Sequence, residues 1–245
     1  MKNLINTNIN ITVIIIIIIN TNIYSNDTNR YKAINQLLYE QMDMYKSPFK
    51  NKNLKQQFIP TIATIGTSIL LIDKEIYNLS INNNLTNINT NISLGSEPEY
   101  ILLGSTVIYA SSLISRNKKF KTFSQTLFKS VTSNSIATQL LKSSIGRRRP
   151  SNNDIWTGPN NFTNNIYYSF PSGHASAIWT SATVIASYYN DKPLIKYLSY
   201  FTAISISCSR VITKQHYLSD VIAGSIIGYG IGKFYSSRYF NSLKS

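Results

Sequence analysis

An arginine, a histidine and an aspartate that together suit phosphate chemistry occur in one short stretch, as Arg210, His216 and Asp220. Asp220 follows His216 by four residues, a spacing that on a helix places both side chains on one face. A carboxylate that accepts the proton of one imidazole nitrogen fixes the tautomer and leaves the other nitrogen free to attack. A turn could return the Arg210 guanidinium, a planar charged fork that suits phosphate oxygens, to the same place. Taken alone, such a stretch is more often a surface network than a site.

A second stretch, Pro171-Ser172-Gly173-His174, has the composition of a helix start, and an apolar run follows it. The free backbone N–H groups of a helix start bind anions, and Gly173 has no side chain to keep a phosphate away from the backbone. His174 would lie in the first turn, where a general acid could reach a leaving oxygen. The alternative is an N-cap with an incidental histidine.

A third stretch runs from Lys142 to Pro150 and carries cations at the predicted end of a helix. Pro150 disfavours helix at Arg149 and would turn that side chain away from the helix line. Lys142 and Arg149 could therefore converge on a phosphate. The alternative is a helix C-terminus that carries cations because the helix dipole favours them there.

Together the three stretches resemble the type 2 phosphatidic acid phosphatase (PAP2) superfamily, which also contains vanadium haloperoxidases and bacterial acid phosphatases. The family pattern is K-x6-R-P, then P-S-G-H, then S-R-x5-H-x3-D, and every fixed position is present here in that order. The chain has two histidines, His174 and His216, and they are the two that the pattern requires. The motifs span residues 142–220, and the surrounding helices extend the resemblance to roughly 55–238.

The resemblance implies an all-α fold with a bundle of about six core helices, and a reaction without metal or other cofactor. It makes His216 the nucleophile that forms a phosphohistidine, Asp220 its orienting carboxylate, and His174 the group that protonates the leaving oxygen and then activates water. Arg147 and Arg148 lie outside the matched positions and are expected at the surface or behind the site. The implied phosphate-binding groups are Lys142, Arg149, Ser172, Gly173 and Arg210.

The expected function is therefore hydrolysis of a phosphomonoester or diphosphate. The expected substrate is a phosphorylated lipid such as phosphatidic acid, polyprenyl diphosphate or a phosphorylated glycolipid. An exported acid phosphatase of broad specificity and a vanadium-dependent haloperoxidase remain alternatives, because the motifs hold only the phosphate. A basic, non-enzymatic membrane-binding protein would require the complete motif set to arise by coincidence.

The composition limits the remaining classes of function. A chain of 245 residues suits one domain with a sizeable core, or two small domains. A net charge of +14 suggests anionic partners such as phosphate groups or acidic lipids. No basic-aromatic RNA motif is present, so nucleic acid is not an expected partner. The single cysteine, Cys208, excludes an internal disulfide, and we expect it to be buried in its apolar run. With two histidines, a multi-histidine metal site is implausible.

The N-terminus has the pattern of a secretory signal peptide, with Lys2 ahead of a short apolar centre that ends in unbroken isoleucine at 14–19. An uncleaved anchor is the alternative, although the centre is too short to span a bilayer in the usual way. Both interpretations predict an exported protein, membrane-associated or periplasmic. The chain then divides into a signal or anchor (1–25), an N-terminal helical extension (26–54) and a phosphatase-like domain (55–240).

Apolar periodicity predicts the helices that carry these motifs. Their approximate expected bounds are 58–72, 99–115, 123–145, 172–190, 194–209 and 216–238. Basic residues at 116–122 and polar residues at 78–96 and 151–170 predict connecting segments, the last of which should border the pocket. Most apolar runs are shorter than the roughly 20 residues that span a bilayer, so the sequence does not decide between a soluble and a membrane-embedded bundle.

The last predicted helix carries Gly224, Gly228 and Gly232, each four residues from the next and therefore on one face. A strip of residues without side chains lets a neighbouring helix approach closely, either in a membrane or in a soluble bundle. We therefore expect close helix packing on this face.

Overall fold

A computed structural model of the chain describes residues 35–36, 39–44, 46, 66–67, 72–82, 97–150 and 168–240. The chain divides into two compact units, residues 1–59 and 60–245, and each is considered by itself. In the first unit the described residues are helical. The predictions for 1–25 and for most of 58–72 and 151–170 concern residues outside the described ranges, and the predicted domain boundaries stay predictions.

The described part of the second unit is built from helices, which confirms the predicted fold class. They are α1 (Asp73–Asn82), α2 (Pro98–Ile114), α3 (Lys118–Ile145), α4 (Gly173–Tyr188), α5 (Pro193–Ile212) and α6 (Leu218–Phe240).

Two predicted connecting segments are partly helical. Residues 78–82 continue α1, so the loop prediction there was wrong. The basic residues 118–122 form the first turns of α3, because the Asn117 side chain accepts a hydrogen bond from Phe120 N (3.1 Å) and starts the helix ahead of its apolar run. Lysine is a good helix former, so the cations do not oppose this start.

Helix α4 packs against α3, α5 and most extensively α6. The glycine strip of α6 makes this contact close, as predicted. A Cβ atom at Gly224 or Gly228 would lie less than 3.0 Å from the backbone of α4 or its N-cap, and one at Gly232 would lie that close to the Thr183 side chain. Since α4 carries His174 and α6 carries Asp220, this packing places two of the motifs side by side.

The outward faces of α2 and α5 carry large apolar side chains. Leu103 on α2 is 61% exposed, and Phe201 on α5 is 68% exposed. Cys208 lies two helical turns beyond Phe201 and is exposed on the same face, so the prediction that it is buried was wrong. None of the described helices combines the length and the apolar character that crossing a bilayer requires.

Gly228→Ala is expected to lower the free energy of unfolding by about 1–3 kcal/mol, because the added methyl group has no room against the α4 backbone. Gly230→Ala on the same helix is the matched control, since a Cβ atom there meets nothing within 4 Å. The control is expected to be neutral or to gain up to about 1 kcal/mol from helix propensity. Denaturant unfolding measures both variants, and equal stabilities would contradict the close packing.

Candidate active site

Backbone hydrogen bonds tie the three motifs together at one end of the bundle. Ser172 N at the start of α4 donates to the carbonyl of Asp220 in α6 (2.9 Å), and Ser169 N donates to the carbonyl of Arg147 after α3 (2.9 Å). Each bond joins segments far apart in the sequence. These backbone groups therefore bond to one another, which fixes the relative positions of the segments that carry the motifs.

His216 lies in the turn between α5 and α6, outside the helix in which we expected it. The carbonyl of Arg210, near the end of α5, accepts hydrogen bonds from Gln215 N (3.1 Å) and His216 N (3.2 Å), which closes the turn over the arginine. Lys214 in this turn has a positive φ of 57°. The backbone of Arg210 therefore meets His216, while the predicted return of the Arg210 guanidinium to the histidine stays a prediction.

The imidazole of His216 and the carboxylate of Asp220 face each other without sharing a helix. Asp220 Oδ2 accepts the N–H of Tyr217, the residue before α6, at 3.0 Å, so the carboxylate caps the helix start. This position brings Oδ2 to 3.6 Å from His216 Nδ1. Burial lowers the pKa of His216 to about 3, although Asp220 opposes the shift. The ring is therefore neutral near neutral pH, as a nucleophile must be.

The end of α3 places Lys142 and Arg149. Gly146 adopts the left-handed conformation (φ 61°), and its N–H bonds to the carbonyl of Lys142, which ends the helix and redirects the chain. The Lys142 ammonium then donates to the carbonyl of Tyr168 (2.6 Å). Arg149 Nη1 donates to Oε1 of Gln215 (2.5 Å), so Arg149 reaches the turn between α5 and α6.

The cations at this site repel one another. The pKa of Lys142 is lowered to about 7, mainly by burial and then by the positive charge of Arg149. The pKa values of Arg149 and Arg210 are lowered as well, mainly by burial. The Nε atoms of both arginines are buried and have no hydrogen-bond partner among the described residues. Buried cations with unused donors have the charge and the hydrogen-bonding groups that can bind an anion.

The start of α4 lies against these cations. Ser172 is the N-cap, and its hydroxyl accepts the N–H of Ala175 at 3.4 Å. A Cβ atom on Gly173 would lie 3.4 Å from Cγ of Pro98 and 3.6 Å from Cε of Lys142. These are ordinary van der Waals distances, so the start of α4 lies beside the Lys142 side chain and the start of α2.

His174 lies in the first turn of α4 and is 8% exposed. Its pKa is lowered to about 3, mainly by burial and then by the positive charges of Arg210, Lys142 and Arg149, in that order. His174 is therefore close to all three cations. Its Nε2 lies 3.0 Å from Oε2 of Glu97, the N-cap residue of α2, which the sequence did not single out.

Arg147 is fully buried behind the site, which is one of the two positions expected for it. Its Nη1 donates to Oδ1 of Asp220 (2.6 Å), and its Nη2 donates to Oδ2 of Asp73 (2.9 Å). The guanidinium also stacks on the ring of Tyr217, 4.1 Å from the ring centre. Oδ2 of Asp220 takes a further bond from the Ser169 hydroxyl (2.5 Å).

These contacts keep Asp220 ionised in a buried place. Burial alone would raise the pKa of Asp220, but its contacts with His216, Arg147 and Ser169 outweigh burial and lower the pKa. Asp73, the first residue of α1, completes the cluster by accepting the N–H of Ser219 at 3.0 Å. Asp73 carries no motif and precedes the other groups by a long stretch of chain, so local patterns could not reveal it.

All predicted site residues thus lie at this end of the bundle. Within the described ranges, no three His, Cys, Asp or Glu side chains converge as a metal site requires. A buried neutral imidazole, its carboxylate, a cluster of cations and a helix start can together bind an oxyanion and attack it.

Comparison with known proteins agrees with the motifs. The sequence model described as the PAP2 superfamily matches residues 125–244, a span that contains every predicted site residue. A PA-phosphatase related-family protein of Dictyostelium discoideum is 32% identical over 133 residues, 49% of each chain. A lipid A 4'-phosphatase of Helicobacter pylori is 33% identical over 75 residues, 31% of this chain and 37% of the relative.

A third curated relative, a lipid A 1-phosphatase of Rhizobium etli, is 33% identical over 106 residues, 42% of this chain and 44% of the relative. The chain therefore spans less than half the length of each of these relatives. Among solved structures, a transmembrane PAP2 type phosphatidylglycerolphosphate phosphatase from Bacillus subtilis superposes with a TM-score of 0.57. The match covers 84% of this chain and 98% of that one at 17% identity, which shows a shared fold.

Arg147→Ala is expected to lower the free energy of unfolding by about 3–5 kcal/mol, because it leaves two buried carboxylates without their cation. Arg116→Ala is the control, since Arg116 is exposed and its loss should change stability by less than about 0.5 kcal/mol. Denaturant unfolding compares the two. A loss in Arg147→Ala no larger than in Arg116→Ala would show that the cluster does not stabilise the fold.

Proposed function

Because residues 125–244 belong to the PAP2 superfamily, we propose that this chain is a phosphatase that hydrolyses a phosphorylated lipid through a phosphohistidine. The observation that carries the proposal is the convergence of three cations on a helix start and two buried histidines, one of them backed by a carboxylate. Each group matches a step of phosphoryl transfer.

In the first step the phosphate oxygens bind to the cations, to the Ser172 hydroxyl and to the N–H of Gly173, which stabilise the charge of the transition state. Since Nδ1 of His216 faces Asp220, Nε2 is the atom that attacks phosphorus. The bond from phosphorus to the leaving oxygen breaks, and His174 gives that oxygen a proton. The positive charge gained by the His216 ring is stabilised by Asp220. The binding cations are Lys142, Arg149 and Arg210.

In the second step neutral His174 takes a proton from water as the water oxygen attacks phosphorus. The bond between phosphorus and His216 breaks, which releases phosphate and restores both histidines. His174 must be protonated at the start of the cycle, although its pKa is about 3 beside the cations. The negative charge of a bound phosphate offsets those cations and raises the pKa of His174 when it is needed.

A lipid substrate is supported by two observations. The relatives include phosphatases named for lipid A, and the solved structure is named for phosphatidylglycerolphosphate. The outward faces of α2 and α5 expose apolar side chains such as Leu103 and Phe201, which suit contact with a membrane. We therefore place the protein at a membrane, where the phosphate of a lipid would reach the site.

Phosphate release tests the proposal, with a chelator present, from lipid phosphates in detergent and from a small soluble phosphomonoester. Wild type is expected to prefer the lipid, and His216→Ala to lose activity by about a thousandfold or more. With a substrate labelled in its phosphate group, the reaction is stopped in alkaline denaturant, which preserves phosphohistidine. Wild type should then retain label on the protein, and His216→Ala should retain none. His174→Ala is the matched control, because it removes the other histidine and should still form the labelled intermediate from a substrate with a good leaving group.

Preference for the soluble ester would instead identify a broad-specificity phosphatase. Equal rates in wild type and His216→Ala would overturn the mechanism. If neither substrate releases phosphate, the phosphatase proposal fails, and vanadate-dependent halide oxidation becomes the reaction to test.

The affinity for inorganic phosphate is expected to fall as pH rises through about 7, because Lys142 loses its proton there and binding requires the charged ammonium. Lys142→Arg should show a weaker pH dependence, since a guanidinium stays charged. The measurement is the inhibition constant of phosphate on either side of pH 7, and the comparison removes the ionisation of phosphate itself. The same pH dependence in both proteins would assign the change to another group.

A further inference from the structure

Glu97, the N-cap residue of α2, contacts His174. Its Oε2 lies 3.0 Å from Nε2 of His174. The Glu97 side chain is 39% exposed, whereas that of His174 is 10% exposed, so the carboxylate lies on the solvent side of the imidazole. Pro98, the next residue, lies close to Gly173, so the start of α2 lies beside the start of α4. The contact therefore belongs to a packed junction of two helices.

The charges around His174 come from four elements. Lys142 faces it from α3, Arg149 from the segment after α3, and Arg210 from α5, and all three oppose a proton on the ring. Glu97 at the start of α2 brings a negative charge, which also stabilises the charged forms of Arg149 and Arg210. A general acid surrounded by cations needs such a counter-charge to hold the proton that it will donate.

We propose that Glu97 is a positioning residue for His174, and that its carboxylate stabilises the protonated ring that donates to the leaving oxygen. The inference rests on the proposed function and assigns a group to one part of it. In the first step the proton passes from His174 to the leaving oxygen, and in the second step His174 takes one from water. Glu97 keeps its charge throughout and does not itself exchange a proton with the substrate.

This role predicts an effect that depends on the leaving group. An alkoxide needs a proton to depart, whereas a nitrophenolate departs without one. Glu97→Gln is therefore expected to lower kcat for an alkyl phosphate such as glycerol phosphate by about 10- to 100-fold. The same variant should change kcat for nitrophenyl phosphate by less than about threefold.

The pH profile gives a second readout. The counter-charge of Glu97 raises the pKa of His174 in the substrate complex, so its removal lowers that pKa. The protonated form then exists only at lower pH, and the alkaline limb of kcat for the alkyl phosphate is expected to move to lower pH in Glu97→Gln. Glu97→Asp keeps the charge with a shorter reach and should restore part of the lost rate.

Glu99→Gln is the matched control, because Glu99 is exposed on the same helix start and carries the same charge. It should show no dependence on the leaving group. The double variant Glu97→Gln with His174→Ala should be no slower on the alkyl phosphate than His174→Ala alone, because Glu97 acts through that histidine. Additive losses in the double variant would overturn the inference.

Equal losses on both substrates, or no loss on either, would also overturn it. Misfolding of Glu97→Gln would lower the rate on both substrates equally, and denaturant unfolding of the variant identifies that cause. If the wild type releases phosphate neither from these two substrates nor from a lipid phosphate, the proposed function fails. If the wild type is active and His216→Ala is not, the proposed function stands whatever Glu97→Gln shows.

Discussion

The ion pairs that Arg147 makes with Asp220 and Asp73 are the contacts on which the rest of the site depends. All three side chains are almost completely buried, and a buried charge is tolerated only when it is paired and hydrogen-bonded. The cluster joins the start of α1, the segment after α3 and the first turn of α6. A displacement of any of these segments would leave a charge unpaired, so the cluster specifies their relative positions.

The same cluster holds the carboxylate that contacts the first histidine. Asp220 faces Nδ1 of His216 and favours a positive charge on the ring, whereas the cations Lys142 and Arg149 oppose that charge. The neutral ring therefore has a carboxylate behind it, which suits a nucleophile that becomes positively charged as it attacks. His174 has a corresponding arrangement, since three cations surround it and Glu97 is the carboxylate in contact with it. Each histidine thus contacts a carboxylate. The one beside His216 is buried, and the one beside His174 is partly exposed.

Helix packing places these groups at one end of the bundle. The glycine strip of α6 brings its backbone against α4, and this places the N-cap Ser172 beside the carbonyl of Asp220. The apolar side chains on the outer faces of α2 and α5 take no part in that packing. The chain therefore uses its smallest residues for internal contact and leaves large apolar residues on the outside, which agrees with a function at a membrane.

The sequence by itself determined the local features: the three motifs and their order, the helical fold class, the cap at Ser172 and the glycine strip of α6. These features follow from the types and spacing of neighbouring residues, because they depend on interactions between residues close together in the sequence. Only the tertiary structure decided that Arg147 is buried and Cys208 exposed, that His216 lies outside α6, and that acids from distant segments complete the site. The local sequence around an arginine, aspartate or glutamate does not distinguish a surface position from a buried ion pair. Burial depends on which helix packs against the residue, and that helix is distant in the sequence. The distant acids are Asp73 and Glu97.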